Sequence, residues 1–328
     1  MPRIALPVAP DATLLATHDP AAPVATLDGR TMGTCWRVRC ALPAGVDPDR
    51  LRHAIDARLD DLVAQMSHWD AASTLSRFNA SPAGAAADLP GDFAAVIDLS
   101  LRMAHASGGA FDPAIGRLVD LWGFGPPGPR PVPDDAAVAA ARAASGWRRL
   151  RRDPDGRRLV QPGGLALDQS GVAKGYAVDA VADLLGDHGI AHCLVEIGGE
   201  LVGRGIRPDG DPWWVELENP PGIATAPIRV ALHQCAVATS GDYHRGRHSI
   251  DPRTGRPVAN GVRSVSVIAG SAALADALAT AITIAWPDGG LIAAQRVAAR
   301  IVVGNGDDMQ EFLTDPLRAM LASDPARQ

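Results

Sequence analysis

The stretch RSVSVIAGSAALADALATAITIAW (residues 263–286) changes its periodicity in the middle, and this change decides the fold class. Up to Ala269 apolar and polar residues alternate as in a strand, whereas from Ser271, a residue type that caps helices, the apolar residues follow helical spacing. Elsewhere, too, helices and antiparallel-looking strands come in blocks. The pattern predicts an α+β fold rather than a doubly wound parallel sheet.

The segments before this stretch supply further helices and strands. An amphipathic helix is predicted at 48–67, and a second one in GDFAAVIDLSLRMAHASGG (91–109), which stops at a Gly-Gly pair. AHCLVEIGGELVGRG (191–205) indicates a strand, a Gly-Gly turn and a strand. We expect residues 1–27, rich in Ala and Pro, to be a mobile arm before a first strand near 35–40, and residues 28–328 to be one module.

Composition restricts the class of protein. The chain has 328 residues, is 47% hydrophobic and carries a net charge of −6, which argues against a general nucleic-acid binder. The four cysteines lack zinc-site spacing and are predicted to be buried. No signal peptide and no apolar run of about 18 residues is visible, so no transmembrane segment and a cytoplasmic location are expected. Removal of an export signal from a periplasmic protein would leave the same pattern.

Two segments suggest a site for an anion and a cation. In ALDQSGVAKGYAVDAVADLL (166–185) a glycine-containing entry precedes Lys174 at a predicted helix start, where free amides and the helix dipole favour an anion such as a phosphate. Asp276 and Thr280 are four residues apart on a predicted helix, so their oxygens can share a hard cation such as Mg²⁺. A solvent-facing or capped Asp276 is the alternative.

A third segment is turn-rich and dense in polar residues. ATSGDYHRGRHSIDPRTGRPV (238–258) contains His244 and His248, and a neutral imidazole at His248 can accept a proton from a hydroxyl nucleophile. A histidine held by backbone contacts is the alternative. DPRTG (251–255) can be a tight turn only. Phe111, Trp122 and Phe124, among glycines, suit either a planar ring ligand or a small local core.

Taken together, these segments resemble one family, the FAD:protein FMN transferases, also called the ApbE flavin-transferase family. The matching segments occur in the family's order from residue 31 to about residue 285: TMGTCWRV, MSHWDAASTLSRFN, GGAFDPAIGRLVDLWGFGP, DQSGVAKGYAVD, LVEIGGELVGRG, VATSGDYHR, HSIDPRTGRPV and ADALATA. The resemblance implies an α+β fold with a T-fold-like core and a flavin site between its halves. It also implies transfer of FMN from FAD to a Ser or Thr hydroxyl of a flavoprotein, with release of AMP.

The resemblance carries over to individual residues. It implies that FAD is contacted by Met32, Trp69, Ala110, Phe111, Asp112, Asp168, Lys174 and Ile250. It implies a Mg²⁺ ion held by Asp276, Thr280 and the backbone oxygens of Gly171 and Ala279. Trp69 stands where tyrosine is common, so ring stacking is expected to survive while a phenolic hydrogen bond is not. Gln169 stands where an apolar residue is common, which concerns only local packing. We assign the role of general base to His248.

Family partners carry the acceptor pattern Asp-Gly-x-Ser/Thr-Gly-Ala-Ser/Thr. The chain's own DGRTMGT (28–34) begins alike but has Met32 where the first Gly belongs, and we expect Thr31 to be in an ordered strand rather than a presented loop. Two other activities fit the same site. Water as the nucleophile gives an FAD pyrophosphatase that forms FMN and AMP, and a protein without turnover only binds FAD.

Overall fold

The computed structural model describes residues 2–7, 12–242, 246, 248–305 and 308–321. Within these ranges no helix combines the length and the apolar character needed to cross a membrane. The helices are α1 Ala12–Ala16, α2 Pro48–Met66, α3 Thr74–Ala80, α4 Gly91–Ala106, α5 Gly116–Leu121, α6 Asp135–Ala144, α7 Ala173–Asp187, α8 Ala272–Ala285, α9 Gly290–Gln295 and α10 Asp315–Met320. The strands are β1 Arg3–Ala5, β2 Val24–Thr31, β3 Thr34–Ala41, β4 Ala86–Asp88, β5 Arg151–Arg152, β6 Arg158–Val160, β7 Cys193–Ile197, β8 Glu200–Arg204, β9 Trp213–Glu216, β10 Ile228–Leu232, β11 Gln234–Gly241, β12 Ile250–Asp251, β13 Arg256–Pro257, β14 Val262–Ala269, β15 Ala298–Asn305 and β16 Asp308–Leu313.

An eight-stranded sheet forms the centre of the fold, in the order β16-β15-β14-β11-β8-β7-β3-β2. Every neighbouring pair in it is antiparallel. A smaller sheet has the order β1-β10-β9. The α+β prediction is confirmed, because helices and antiparallel strands occupy separate layers.

At strand β11 the large sheet is covered on both faces. Ala236 and Ala238 belong to the main core, which includes buried residues of α2, α4, α7 and α8. Cys235 and Val237, on the opposite face, belong to a second core around Trp213 of the smaller sheet. Because successive side chains of a strand alternate between its faces, one strand contributes to both cores. The helices on the first face carry the residues of the candidate site.

The N-terminal segment and one cysteine differ from expectation. Strand β1 of the predicted arm pairs in parallel with β10, Ala5 is fully buried, and the predicted boundary at residue 27 falls inside β2. The first strand therefore precedes the one expected near 35–40. Cys35 is exposed, contrary to the prediction that all four cysteines are buried, because it lies on the outer face of β3 beside buried Trp36.

One ion pair joins three of the core helices. Asp92 of α4 accepts hydrogen bonds from Arg58 of α2 at 2.6 and 2.7 Å and from the Tyr176 hydroxyl of α7 at 2.7 Å. The Arg58 guanidinium is the main cause that lowers the pKa of Asp92 from 3.8 to about 2. A lowered pKa stabilises the folded state above the unfolded value, and this stabilisation is lost as the pH falls through the folded value.

We expect Asp92→Asn to lower the free energy of unfolding at pH 7 by about 1–2 kcal/mol, because a partly exposed pair is screened by solvent. The difference from the unmodified protein should shrink as the pH falls from about 4 to about 2. Urea unfolding at several pH values measures this. Asp98→Asn, which removes the more exposed partner of Arg152, is the control and should change stability by less than about 0.5 kcal/mol. A pH-independent difference for Asp92→Asn would contradict the assignment.

Candidate functional site

The first turns of α7 and α8 are tied together by hydrogen bonds. The amide of Gly175 donates to Asp276 Oδ2 at 3.1 Å. In the other direction, the Asp179 carboxylate accepts from the amides of Ala272 and Ala273 at 2.9 Å each. Free amides at a helix start need such acceptors. Each helix therefore positions the first turns of the other, and with them the predicted anion and cation residues.

Gly175 allows the close contact between α7 and α8 because it has no side chain. A Cβ atom at Gly175 would lie 2.3 Å from the carbonyl oxygen of Ala272, a backbone atom that cannot rotate away. We expect Gly175→Ala to separate the two helices, to lower the free energy of unfolding by about 1–3 kcal/mol and to reduce activity. Thermal unfolding together with turnover tests this.

The matched control is Gly186→Ala, in the same helix, where a Cβ atom would meet nothing within 4 Å. Alanine there should leave activity unchanged and should be neutral or stabilise by up to about 1 kcal/mol. Equal behaviour of the two variants would show that close packing at Gly175 is not required.

The predicted cation residues lie in this region. Asp276 is 7% exposed, so it does not face solvent, but it accepts from the Gly175 amide in the first turn of α7, as the capped alternative predicts. A Cβ atom on Gly171 would lie 3.0 Å from Thr280 Oγ1 and 3.3 Å from the Phe111 ring, so the backbone at Gly171 approaches both. Ala279 is 1% exposed, and its carbonyl oxygen accepts from the Thr283 hydroxyl at 2.8 Å. The structure thus brings Gly171, Thr280 and Phe111 together beside α8.

Lys174 lies between two carboxylates. Its Nζ donates to Glu200 Oε1, and it also interacts electrostatically with Asp276. Burial raises the pKa of Glu200 to about 7, although the positive charge of Lys174 acts to lower it. The negative charge of Asp276 raises it further. Burial likewise raises the pKa of Asp276, again opposed by Lys174. One ammonium and two acidic groups therefore share a buried region, an arrangement typical of functional sites.

The segment after α4 is fixed by its own hydrogen bonds. Ala110, Phe111 and Asp112 are all buried. The Asp112 carboxylate accepts from the amides of Ala114 at 2.8 Å and Trp147 at 3.0 Å. Burial raises the pKa of Asp112 to about 6, and the two amides oppose this effect. The predicted flavin-contact residues 110–112 are therefore held in a rigid loop, with Phe111 against Gly171.

The aromatic residues that follow have another role. Trp122 and Phe124 pack onto a cluster that includes buried Ile250. Trp122 Nε1 also donates to the carbonyl oxygen of Gly255 at 2.8 Å, so this pair forms a small local core that fixes the 250–257 turn. Asp251 and Gly255 close this turn through a backbone hydrogen bond of 2.7 Å, as expected for DPRTG. Phe111 thus lies beside Gly171 in the candidate site. Trp122 and Phe124 instead form the small local core that the sequence offered as the second possibility.

Trp69 is the most exposed aromatic of the predicted set. Its side chain is 63% exposed, and its ring centroid lies 5.3 Å from that of His68 at an interplanar angle of 42°. Nδ1 of His68 in turn lies 4.0 Å from Asp168 Oδ1. Asp168 is buried and accepts from the amide of Ser170 at 2.7 Å. An exposed indole linked in this way to the segment before α7 offers a surface for ring stacking.

Met32 lies in the turn of the β2–β3 hairpin. It has a positive φ of 48°, and its partly buried side chain packs against the main core. Thr31 pairs with Thr34 in the same hairpin, so it lies in an ordered strand as expected. A Cβ atom on Gly198 would lie 2.9 Å from the Thr34 side chain. The hairpin end therefore meets the Gly-Gly turn that leads to Glu200.

His248 makes the backbone contact that one alternative predicts. Its Nδ1 lies 2.9 Å from the carbonyl oxygen of Gly246. Since a carbonyl oxygen only accepts, Nδ1 must carry the proton, and in the neutral ring Nε2 is the acceptor. In this tautomer Nε2 is the nitrogen that is available to accept a proton. Among the described residues, His248 has no hydrogen bond to Asp276 or Thr280, and His244 lies outside the described ranges.

Sequence reasoning missed two residues of the site, Asp179 and Glu200. Asp179 lies one turn after Gly175 in α7, and Glu200 opens β8 directly after the Gly-Gly turn. An acidic residue at the start of an otherwise buried strand is the one local signal that marks Glu200, because unpaired carboxylates are costly in the interior. The partners of both residues are distant in sequence, so spacing within a segment does not reveal them.

Within the described ranges, no three His, Cys, Asp or Glu side chains are grouped so that they could hold a metal ion. A cation near α8 would therefore be held by fewer such side chains together with hydroxyl or backbone oxygens. The predicted set of one carboxylate, one hydroxyl and two carbonyl groups has this composition. Oxygen ligands of these kinds suit Mg²⁺.

Comparisons with known proteins show the family of the chain. The family model described as the ApbE family matches residues 32–302. The FAD:protein FMN transferase of Klebsiella pneumoniae is 34% identical over 323 residues, which cover 93% of this chain and 92% of that protein. The protein of the same name from Escherichia coli K12 is 32% identical, with 94% and 92% covered.

Solved structures give the same result. The flavin transferase ApbE from Vibrio cholerae superposes with a TM-score of 0.84 at 34% identity, and 92% of this chain and 100% of that chain are covered. The apo form of the flavinyl transferase ApbE from Pseudomonas stutzeri gives a TM-score of 0.85 at 35% identity, with coverages of 92% and 98%. The family model spans most of the chain, the relatives are more than 30% identical over most of its length, and the chain therefore belongs to the ApbE family.

Proposed function

We propose that this chain is an Mg²⁺-dependent transferase that moves FMN from FAD to a Ser or Thr hydroxyl of an acceptor flavoprotein and releases AMP. The observation that carries the proposal is the cluster at the paired starts of α7 and α8, where Asp276 accepts from the Gly175 amide and interacts with Lys174, and Thr280 lies against the backbone of Gly171. The names of the relatives support the same activity. Residues 28–328 form the catalytic module in this proposal.

The residues fit the groups that the reaction needs. In this proposal FAD contacts the side chains or backbone of Met32, Trp69, Ala110, Phe111, Asp112, Asp168, Lys174 and Ile250. Mg²⁺ would be held by Asp276, Thr280 and the backbone oxygens of Gly171 and Ala279. The buried charge of Asp276 and the unpartnered second oxygen of nearby Glu200 favour a cation here, because an uncompensated buried carboxylate is costly.

The chain's own residues account for the steps. The Lys174 ammonium, at the start of α7, binds the pyrophosphate of FAD, and the positive helix end adds to its field. Asp276 is kept in place by the Gly175 amide. When bound, Mg²⁺ neutralises pyrophosphate charge and makes phosphorus easier to attack. Trp69 stacks on a flat ring, and the rigid loop 110–112 fixes the orientation of the substrate.

Transfer itself needs a base and a leaving group. Nε2 of His248 takes the proton from the acceptor hydroxyl, whose oxygen attacks the FMN phosphorus in line. A bond forms between that oxygen and phosphorus, and the bond from phosphorus to the bridging pyrophosphate oxygen breaks, so the bridging oxygen leaves with AMP. The acceptor is a flavoprotein segment with the pattern Asp-Gly-x-Ser/Thr-Gly-Ala-Ser/Thr.

Product analysis distinguishes the proposed activity from the two alternatives. With FAD, Mg²⁺ and excess acceptor peptide, we expect AMP to form over many turnovers without an equal amount of free FMN. AMP and free FMN in equal amounts, whatever the peptide concentration, would instead establish an FAD pyrophosphatase. Intact FAD retained in a one-to-one complex would leave a binding protein. Chromatography of the quenched reaction measures all three nucleotides together.

A further inference from the structure

Glu200 is a buried carboxylate with an incomplete set of partners. It is 2% exposed, and Oε1 accepts from Lys174 Nζ. Oε2 is buried and has no hydrogen-bond partner among the residues that the structure describes. A buried acceptor without a partner is costly, and more so when it is charged. A residue kept only to stabilise the fold would not be expected to carry this cost.

The ion pairs of Glu311 show how a carboxylate with a purely structural role is satisfied in this protein. Glu311 accepts from Arg300 at 2.6 Å and from Arg3 at 2.6 and 2.7 Å, so both of its oxygens are used. Its pKa is lowered by these two guanidinium groups although burial acts against them. Glu200 differs on both points. It has one cationic partner, and a second carboxylate, Asp276, lies close enough to repel it.

The charges of the cluster define its preference for ligands. When Glu200 and Asp276 are both ionised, they contribute −2 and Lys174 contributes +1, which leaves −1. A cluster of this sign repels a pyrophosphate and attracts a divalent cation, whereas the same cluster with a divalent cation has a charge of +1 and attracts the pyrophosphate. Binding of the two ligands is then coupled, and each increases the affinity for the other.

We propose that Glu200 is a positioning residue that holds Lys174 at the start of α7 and, through its charge, makes FAD binding depend on a divalent cation. The inference rests on the proposed function, because it concerns the same pyrophosphate and the same Mg²⁺. Glu200 need not touch the phosphorus. Its role is to keep the site unfavourable for FAD until the cation is present, so that FAD binds only in the form that can react.

The test measures binding without turnover. FAD affinity is obtained from flavin fluorescence quenching at two conditions, excess EDTA and saturating Mg²⁺, for the unmodified protein and for Glu200→Gln. Removal of one negative charge should tighten FAD binding in EDTA by about tenfold and raise the half-saturating Mg²⁺ concentration by a similar factor. FAD affinity at saturating Mg²⁺ should change less. The ratio of the two FAD affinities therefore falls.

Two variants control the experiment. Glu311→Gln removes a largely buried carboxylate of β16, which lies four strands from β8 in the large sheet, and should leave the ratio unchanged. Glu200→Asp keeps the charge and should retain most of the ratio, which also provides a measurement if Glu200→Gln does not fold. Weaker FAD binding in both conditions, or an unchanged ratio in Glu200→Gln, would overturn the inference and make Glu200 a structural residue. If the unmodified protein itself bound neither FAD nor Mg²⁺, the proposed function would fail instead.

Discussion

Asp276→Asn should lose Mg²⁺-dependent turnover by at least about 100-fold, since even indirect partners of metal ligands cost 10- to 100-fold when they are removed. Asparagine keeps the size of the side chain and can still accept from the Gly175 amide, so the contact between α7 and α8 survives. The charge that a divalent cation needs is lost. Asp276→Ala, which also removes the acceptor, should be at least as severe.

The stability of Asp276→Asn shows whether the loss of turnover comes from lost metal binding or from misfolding. Burial raises the folded pKa of Asp276 above its unfolded value, so its contribution to stability is present at low pH and is lost as the pH rises. At pH 7 the neutral asparagine should therefore leave the metal-free protein at least as stable as before. The rise in Tm that Mg²⁺ produces should disappear, because binding to the folded state is the source of that rise.

The control for this variant is Asp183→Asn, which changes an exposed carboxylate of α7 that pairs with Arg204. Its turnover and its response to Mg²⁺ should equal those of the unmodified protein. Full Mg²⁺-dependent turnover in Asp276→Asn would remove Asp276 from the cation site and leave the α8 residues without a catalytic role.

His248→Ala should slow FMN transfer by about 10²- to 10⁴-fold, the usual contribution of a general base, while FAD affinity stays within about twofold. The imidazole acts on the acceptor hydroxyl, so its loss affects the rate of the chemical step more than the binding of FAD. Single-turnover transfer to the acceptor peptide gives the rate, and fluorescence quenching gives the affinity.

His188 is the matched control for His248. It too has Nδ1 at 2.9 Å from a backbone carbonyl oxygen, that of Leu184, but it lies at the far end of α7. His188→Ala should leave the rate unchanged. If His248→Ala transferred FMN at the normal rate, the backbone contact at Gly246 would be the whole role of His248 and another group would be the base.

Elements with strong local signals were predictable. The helical spacing of apolar residues from Leu51 to Met66 predicts α2, and the Gly-Gly pair predicts the β7–β8 hairpin. Ser271 caps α8 through the amide of Leu274, as its residue type indicates. In each case the residues that determine the element lie within the element or next to it, so the pattern is visible in a short window.

The missed features depend on contacts between distant segments. Strand β1 pairs with β10 across more than 200 residues, and nothing in Arg3–Ala5 alone specifies that partner. Asp179 is coupled to α8 across 93 and 94 residues, and Glu200 is 26 residues from Lys174. A single sequence shows which residues are acidic or apolar, but it does not show which of them meet. The resemblance to the family supplied the proposed site residues that spacing alone left open.

The most direct test of the account is the mass of an acceptor peptide after incubation with the protein, FAD and Mg²⁺. The peptide carries the pattern Asp-Gly-x-Thr-Gly-Ala-Thr, and a second peptide has alanine in place of the first threonine. The account predicts that the first peptide gains one FMN moiety, that EDTA prevents the gain, and that the alanine peptide stays unmodified. An unmodified threonine peptide, with FAD consumed or intact and the protein folded, would contradict it.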